Sequence, residues 1–230
     1  MKTSAIVLAA GSGSRMGSNV KKQYIELNGH EILWYSIKAF QESEVDGIIL
    51  VCSEDDMEKN GSYRTEFSKL SAIVPGGRER YNSVHCGLIA ADPCKKVLIH
   101  DGARPFVSVE LINRCICELD NEDACVAAVP SKDTVKIITP EGYVKETPDR
   151  SLVWNMQTPQ CFRYDVVKEA YDILIKKEEN EGLNGLNVTD DAMVVEYFGN
   201  ARIKMIRSDY DNIKITTPED LRFAEWKERN

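Results

Sequence analysis

The sequence predicts an α/β protein of one domain, residues 1–230, built on a mostly parallel, mixed sheet with helices on both faces. Two features predict this fold. Short apolar runs have the length of buried strands, and segments between them carry apolar residues at helical spacing. Strand, loop and helix follow one another at least three times, a pattern typical of parallel strands joined by crossover helices.

The first part of the chain supplies most of this alternation. Its apolar runs are short and end at turn residues. We expect buried strands at residues 5–10, 46–52, 72–75, 97–100 and 124–129. We expect helices at 31–42 and 108–119, a weakly helical segment at 54–70, and a helix that follows the glycine turn at 76–77 and ends near 91.

The alternation breaks at residues 131–149, where two alternating segments flank a Thr-Pro-Glu-Gly turn. This pattern predicts a β-hairpin, and its few apolar residues predict an arm that projects from the core. Residues 150–162 return the chain. The remaining elements are expected as a helix around 167–174, a polar loop at 177–188, a helix capped by 189–191, strands at 202–206 and 211–216, and a last helix from 217–218 to about 228.

Composition and charge exclude several classes of function. The net charge is −8, whereas nucleic-acid-binding domains are usually basic, so we expect no nucleic-acid partner. The seven cysteines form no C-x-x-C pair and have no histidine at metal-ligand spacing. We expect them to be reduced core thiols. No signal peptide or membrane-length apolar run is visible, so we expect a cytoplasmic protein without membrane contact.

The first predicted strand runs into a glycine-rich loop with cations behind it. Gly11 and Gly13 leave backbone N–H groups open to an anion, and Arg15, Lys21 and Lys22 follow closely. The loop is not a dinucleotide fingerprint, because a methionine stands where the third glycine would be, and it lacks the Gly-Lys-Ser/Thr ending of a P-loop. We interpret it as a polyphosphate-binding loop of another kind, the alternative being an ordinary turn between a strand and a helix.

Two further segments with polar chemistry follow predicted strands. Gly76 and Gly77 come after one strand, and Asp101 and Arg104 come after another. Ligands of parallel sheets bind at the carboxyl ends of the strands. We therefore expect these segments and the first loop to form one site.

Asp101 is the candidate ligand for Mg²⁺ held against a triphosphate, the alternative being a turn residue that caps the next element. Arg104 is a candidate to bind an anionic substrate, or forms a surface ion pair. Asp211 and Lys214 are candidates for a more distant contribution to the same site. Helix capping explains Asp190 and Asp191. Because no Ser-His-Asp order and no activated thiol can be singled out, the set suits phosphoryl or nucleotidyl transfer without a covalent nucleophile.

A set of segments extends along nearly the whole chain. They are 8–17 (LAAGSGSRMG), 22–24 (KQY), 76–78 with 83–84 and 87–88, 100–106 (HDGARPF), 129–134 (VPSKDT), 150, 157–160 (QTPQ), 189–192 (TDDA) and 212–221 (NIKITTPEDL). In this order they resemble the 2-C-methyl-D-erythritol 4-phosphate cytidylyltransferase family of isoprenoid biosynthesis. The first segment is shared by many nucleotidyltransferases, whereas the full set is specific.

The resemblance implies a Rossmann-like nucleotidyltransferase domain whose hairpin arm joins two chains in a homodimer. It implies that CTP and the polyol phosphate 2-C-methyl-D-erythritol 4-phosphate are converted, with Mg²⁺, to 4-diphosphocytidyl-2-C-methyl-D-erythritol and pyrophosphate. By the same resemblance, the residues with catalytic roles are Arg15, Lys22, Arg150 and Lys214. The residues that hold the nucleotide are Ala9, Ala10, Gly11, Ser12, Gly13, Lys22, Gly76, Gly77, Ser83 and Ala103. The residues that contact the polyol phosphate are Asp101, Arg104, Thr134, Arg150, Thr158 and Lys214, with Thr134 and Arg150 reaching across the dimer. The metal contacts are Asp101 and Asp211.

One departure from the family and two alternatives remain. Lys21 stands where the family usually has proline, which leaves open whether Lys21 or Lys22 points inward, although the register favours Lys22. A cytidylyltransferase for a pentitol phosphate such as ribitol 5-phosphate shares most of the motifs, but the segments 100–105 and 157–160 favour methylerythritol phosphate. A non-catalytic, nucleotide-binding regulatory protein is the other alternative, and the combination of Arg15, Lys22 and Asp101 argues against it.

Overall fold

The computed structural model describes residues 2–11, 20–91 and 93–229. The strands in this part of the chain are β1 (Thr3–Ala9), β2 (Glu26–Leu27), β3 (His30–Glu31), β4 (Gly47–Cys52), β5 (Leu70–Pro75), β6 (Lys96–Asp101), β7 (Ala124–Pro130), β8 (Ile137–Ile138), β9 (Val144–Glu146), β10 (Trp154–Arg163) and β11 (Ile203–Arg207). The helices are α1 (Ile32–Glu42), α2 (Met57–Asn60), α3 (Tyr63–Glu66), α4 (Arg80–Ala90), α5 (Val109–Glu118), α6 (Tyr164–Glu181), α7 (Asp191–Phe198) and α8 (Pro218–Arg229).

A seven-stranded sheet forms the centre, in the order β11–β7–β10–β6–β1–β4–β5. The neighbours among β6, β1, β4 and β5 are parallel, and β11 is parallel to β7. β10 is antiparallel to both β6 and β7. The prediction of a mostly parallel, mixed sheet is confirmed. The antiparallel strand is β10, which comes from the segment 150–162 that returns the chain from the hairpin.

Helices cover both faces of the sheet. Val7 of β1 packs in one apolar cluster with side chains of α1 and α5, whereas its neighbour Ile6 packs in the other cluster with side chains of α4, α6 and α7. Successive residues of a strand point to opposite faces, so a strand covered on both sides needs apolar residues throughout. This explains why the central strands appear in the sequence as unbroken apolar runs.

The hairpin stands apart from the core. β8 and β9 pair antiparallel in a two-stranded sheet of their own. Tyr143 and Val144 are 75% and 60% exposed, and Ile138 is 58% exposed. The structure thus has the predicted hairpin within residues 131–149. Its role in joining two chains stays a prediction.

One predicted strand and one predicted boundary are wrong. Residues 211–216 are irregular instead of a strand, and they attach to the strand ends through the N–H of Ile215, which donates to the carbonyl of Ala103 at 2.8 Å. α6 continues through Glu181, into the predicted loop, because its Lys- and Glu-rich sequence favours a helix until Gly182 ends it at φ 70°.

Within the described residues, no helix has both the length and the apolar composition that a membrane crossing requires.

Candidate active site at the carboxyl edge of the sheet

The carboxyl ends of β1 and β6 and the loop after β5 surround a cavity of about 360 Å³, called the first cavity below. Seven of the predicted nucleotide residues line it, namely Ala9, Ala10, Gly11, Lys22, Gly77, Ser83 and Ala103. Asp101, Lys214, Gln23 and Arg80 also line it. The structure therefore brings the three strand-end segments together.

The glycine turn after β5 packs closely against its neighbours beside this cavity. A Cβ atom at Gly76 would lie 2.6 Å from the Cβ of Ala10, and one at Gly77 would lie 2.4 Å from the Cβ of Asn82. The N–H of Gly77 is held by the side chain of Ser83, whose Oγ accepts it at 3.1 Å. Glycine is needed at both positions because the chain segments are in contact there.

Lys21 and Lys22 have different surroundings. Lys21 Nζ lies 2.6 Å from Asp56 Oδ2 and 2.7 Å from Ser53 Oγ, and Lys21 does not line the first cavity. Lys22 lines it. The geometry therefore favours Lys22 as the inward lysine, in agreement with the register of the motif.

Gln23 attaches the short turn Lys22–Tyr24 to the end of β1. Its Nε2 donates to the carbonyl of Ala9 at 2.6 Å and to that of Gly11 at 3.1 Å. Because Gln23 is buried, these bonds hold residue 23 beside residues 9–11, the two points between which the glycine-rich segment runs. The motif Lys-Gln-Tyr thus combines a cavity residue with a structural anchor.

Asp101, the last residue of β6, is surrounded by three cations. Its Oδ2 lies 2.8 Å from Lys214 Nζ and 3.8 Å from Arg104 Nε, and its Oδ1 lies 3.4 Å from Arg80 Nε. Burial by itself would raise the pKa of Asp101, but the charges of Arg80, Lys214 and Arg104 outweigh burial and hold this pKa well below its usual range. The carboxyl group is therefore ionised throughout the physiological pH range, and positive charge exceeds negative charge around it.

A second cavity of about 300 Å³ adjoins the first. Arg80, Asp101 and Lys214 line both cavities, whereas Arg104 and Thr158 line only the second. The predicted polyol-phosphate residues Asp101, Arg104, Thr158 and Lys214 therefore lie together. Two ligands, one in each cavity, would meet at the three shared side chains.

Thr158 is buried, and its hydroxyl group is engaged inside the protein. Thr158 Oγ1 accepts the N–H of Asp101 at 3.1 Å and lies 3.0 Å from His100 Nδ1. Burial lowers the pKa of His100 to about 3, so the ring is neutral at neutral pH. A neutral ring that accepts the Thr158 hydroxyl at Nδ1 donates from Nε2 to the Arg104 carbonyl, 3.3 Å away. Thr158 thus fixes the backbone of Asp101, and its predicted contact with the polyol phosphate stays a prediction.

Sequence reasoning missed Arg80, the first residue of α4. Its Nη1 and Nη2 each donate to a different carboxylate oxygen of Asp191 at 2.8 Å. A cation at a helix N-terminus opposes the helix dipole, and this mismatch was the available sequence signal. Capping explains Asp190, which accepts the N–H of Met193 at 2.9 Å, but it does not explain Asp191.

The chain matches one protein family over nearly its whole length. The family model described as 2-C-methyl-D-erythritol 4-phosphate cytidylyltransferase matches residues 3–229. The chain belongs to the 2-C-methyl-D-erythritol 4-phosphate cytidylyltransferase family. A relative of this name from Lachnospira eligens is 49% identical over 223 residues, with 96% of each chain covered, and one from Lachnoclostridium phytofermentans is 46% identical, with 97% of this chain and 95% of the relative covered.

Solved structures of cytidylyltransferases have the same fold. The 4-diphosphocytidyl-2C-methyl-D-erythritol synthase of Anaerococcus prevotii matches with a TM-score of 0.87 at 36% identity, over 100% of this chain and 96% of that one. The 2-C-methyl-D-erythritol 4-phosphate cytidylyltransferase of Thermus thermophilus matches with a TM-score of 0.79 at 28% identity, over 100% of both chains.

Several site residues predicted from this family do not line either cavity or lie outside the described part of the chain. Thr134 of the arm and Arg150, which follows it, are exposed and line neither cavity, and Arg150 Nη1 donates to the carbonyl of Lys132 at 3.4 Å. Ser12, Gly13 and Arg15 belong to residues 12–19, which lie outside the described residues.

Asp211 is not brought together with Asp101. It lines a different cavity, and its Oδ2 lies 2.5 Å from Lys227 Nζ. Its role as a second metal contact stays a prediction that this placement does not favour.

The cysteines form no disulfide in the described part of the chain. Four of them are buried, as expected of core residues, whereas Cys86 and Cys94 are half-buried and Cys117 is exposed, so the prediction of core thiols is wrong for Cys117. Cys115, Cys125 and Cys161 are buried, and their Sγ atoms lie within 4.8 Å of one another. Among the described residues this group offers three ligand atoms, one fewer than a structural zinc site takes.

Proposed function

We propose that this chain transfers the cytidylyl group of CTP to 2-C-methyl-D-erythritol 4-phosphate and releases pyrophosphate. The observation that carries this proposal is the meeting of two cavities at Arg80, Asp101 and Lys214 in a chain of this family. The first cavity, which Gly11, Gly77 and Lys22 line, suits the nucleotide, and the second cavity, which Arg104 lines, suits the polyol phosphate. The reacting phosphates then meet at the shared side chains.

The chain's own residues supply charge and position. An oxygen of the polyol phosphate attacks the α-phosphorus of CTP, and the bond from that phosphorus to the pyrophosphate breaks. Lys214 and Arg104 reduce the repulsion between the two anions, while Lys22 stabilises charge on the triphosphate from the other side. Transfer of this type needs in-line positioning and charge neutralisation, and no protein nucleophile takes part.

Asp101 has the chemistry of a Mg²⁺ ligand in such a site. Among the described residues, its Oδ1 has a long contact of 3.4 Å with Arg80, so this oxygen retains capacity for a cation. Mg²⁺ is commonly held by one or two carboxylates together with substrate phosphates. We therefore infer that Asp101 and the triphosphate would hold it, and that the ion would supply further charge neutralisation at the phosphates.

The exposed arm supports a homodimer as part of the same proposal. Tyr143, Val144 and Ile138 form an apolar surface that a second copy would cover. By family likeness, Thr134 and Arg150 would contact the polyol phosphate across this dimer. A cytoplasmic location is proposed on the basis of the substrates and the reduced thiols.

The substrate proposal is tested by measuring pyrophosphate release from CTP with 2-C-methyl-D-erythritol 4-phosphate and with ribitol 5-phosphate in separate reactions. We expect turnover with the first and little with the second. Turnover with ribitol 5-phosphate alone would overturn the substrate. Tight CTP binding without turnover of either would indicate a regulatory protein.

A further inference from the structure

A buried carboxylate holds the arginine that stands between the two cavities. Asp191, on α7, is fully buried, and both its oxygens are engaged by the guanidinium of Arg80. Tyr171 adds a third hydrogen bond, donated to Asp191 Oδ1 at 2.5 Å. The planar fork of Arg80 is therefore fixed in one orientation.

This orientation determines what Arg80 presents to the cavities. Its two terminal nitrogens face Asp191, so the Nε edge is the part that faces Asp101 Oδ1, at 3.4 Å. Asp101 in turn keeps its close contact of 2.8 Å with Lys214. If Asp191 lost its charge, the fork of Arg80 would be free to turn toward Asp101 and compete with Lys214 for it.

We infer that Asp191 is a positioning residue, and that the Arg80 it holds binds phosphate groups of both substrates where the two cavities meet. This inference rests on the proposed function. It assigns to Arg80 a direct contact with the ligands, and to Asp191 an effect that is transmitted only through Arg80. Removal of either charge should weaken ligand binding in both cavities together.

The test separates this role from a contribution to folding alone. Asp191→Asn leaves a half-buried arginine with a weaker partner, and Arg80→Met leaves a buried carboxylate unpaired, so both single variants should melt at lower temperature. The double variant Arg80→Met/Asp191→Asn contains neither charge and should melt near the wild-type temperature. Calorimetry then measures the affinity of each variant for CTP and, separately, for 2-C-methyl-D-erythritol 4-phosphate.

We expect the double variant to regain stability yet bind each ligand at least about tenfold more weakly than wild type. We also expect Asp191→Asn to have no further effect on affinity once Arg80 is methionine, because effects transmitted through one residue are not additive. A double variant that binds both ligands like wild type would overturn the inference and leave the network with a structural role only.

Glu178→Gln is the matched control. Glu178 of α6 accepts hydrogen bonds from Tyr81 at 2.5 Å and Asn82 at 2.9 Å, so it also ties α6 to α4, but it lines neither cavity. This variant should lose stability and keep both affinities, and loss of both affinities here would also contradict the inference. Pyrophosphate release by the wild type is measured in parallel: its absence would reject the proposed function, while the affinities still decide the role of Asp191.

Discussion

Replacement of the two neighbouring lysines tests which one acts in the site. Lys22 lines the first cavity, so Lys22→Ala removes a cation from the position where the triphosphate is proposed to bind. Loss of one such stabilising group costs about 10²–10³-fold in rate. Lys21→Ala instead breaks the 2.6 Å pair with Asp56, whose side chain is 16% exposed and that of Lys21 31%.

The size of the Lys21 effect follows from this partial burial. Burial alone would raise the pKa of Asp56, but hydrogen bonds from Lys21 and Ser53 bring it below its ordinary value, so the pair is somewhat stabilising. A partly exposed pair contributes up to about 1 kcal/mol, which in a chain of this size lowers the melting temperature by about 2–4 °C. The rate of pyrophosphate release should stay near wild type.

The assay is pyrophosphate release at saturating CTP and 2-C-methyl-D-erythritol 4-phosphate, with thermal melting followed for each variant. For Lys22→Ala we expect a large loss of rate with little change in stability. For Lys21→Ala we expect a rate near wild type and a melting temperature lower by about 2–4 °C. Equal losses of rate in the two variants would refute the assignment of Lys22 as the inward lysine.

Three further predictions concern the supports of the site. The pKa of His100 is about 3 in the folded protein and about 6.5 in the unfolded chain. As the pH falls, the unfolded chain takes up a proton before the folded protein does, so the free energy of unfolding decreases below about pH 6.5. Urea unfolding at pH 7 and pH 5 should show wild type losing about 2 kcal/mol more than His100→Asn; equal losses would show that the ring is not buried neutral. Thr158→Val leaves the N–H of Asp101 unpaired and should cost about 1–3 kcal/mol in thermal unfolding, and a melting temperature like that of wild type would contradict this hydrogen bond. Gly77→Ala places a Cβ 2.4 Å from that of Asn82 and should destabilise by about 1–3 kcal/mol, whereas Gly11→Ala, with no nearby atom of the described residues within 4 Å of the new Cβ, should melt near wild type.

The central strands could be predicted because both of their faces are covered. A strand packed on two sides needs apolar residues at every position, which leaves a plain signal in β1, β4 and β7. Residues 211–216 carry a similar β-branched pattern but form no ladder. Their N–H and C=O groups find other partners, such as the carbonyl of Ala103, and pattern alone does not distinguish the two outcomes.

The site could be predicted where chemistry follows directly after a strand. Asp101 and Gly77 stand at strand ends, so topology alone places them at one edge. Arg80 and Asp191 were missed because they are 111 residues apart in the chain and meet only in the folded structure, where α6 packs against both α4 and α7. Capping accounts for an aspartate at the start of a helix, and a single sequence does not show that one of two adjacent aspartates points into the core.

Asp101→Asn tests the central claim most directly, which is that both substrates react at the edge where β6 ends. The substitution keeps the size of the side chain and removes the charge that holds Lys214 at 2.8 Å. The measurement is pyrophosphate release from CTP with 2-C-methyl-D-erythritol 4-phosphate, with circular dichroism to verify folding. We predict turnover by wild type and a rate at least about 10²-fold lower in the folded variant. A folded Asp101→Asn protein with the wild-type rate would place the reaction elsewhere.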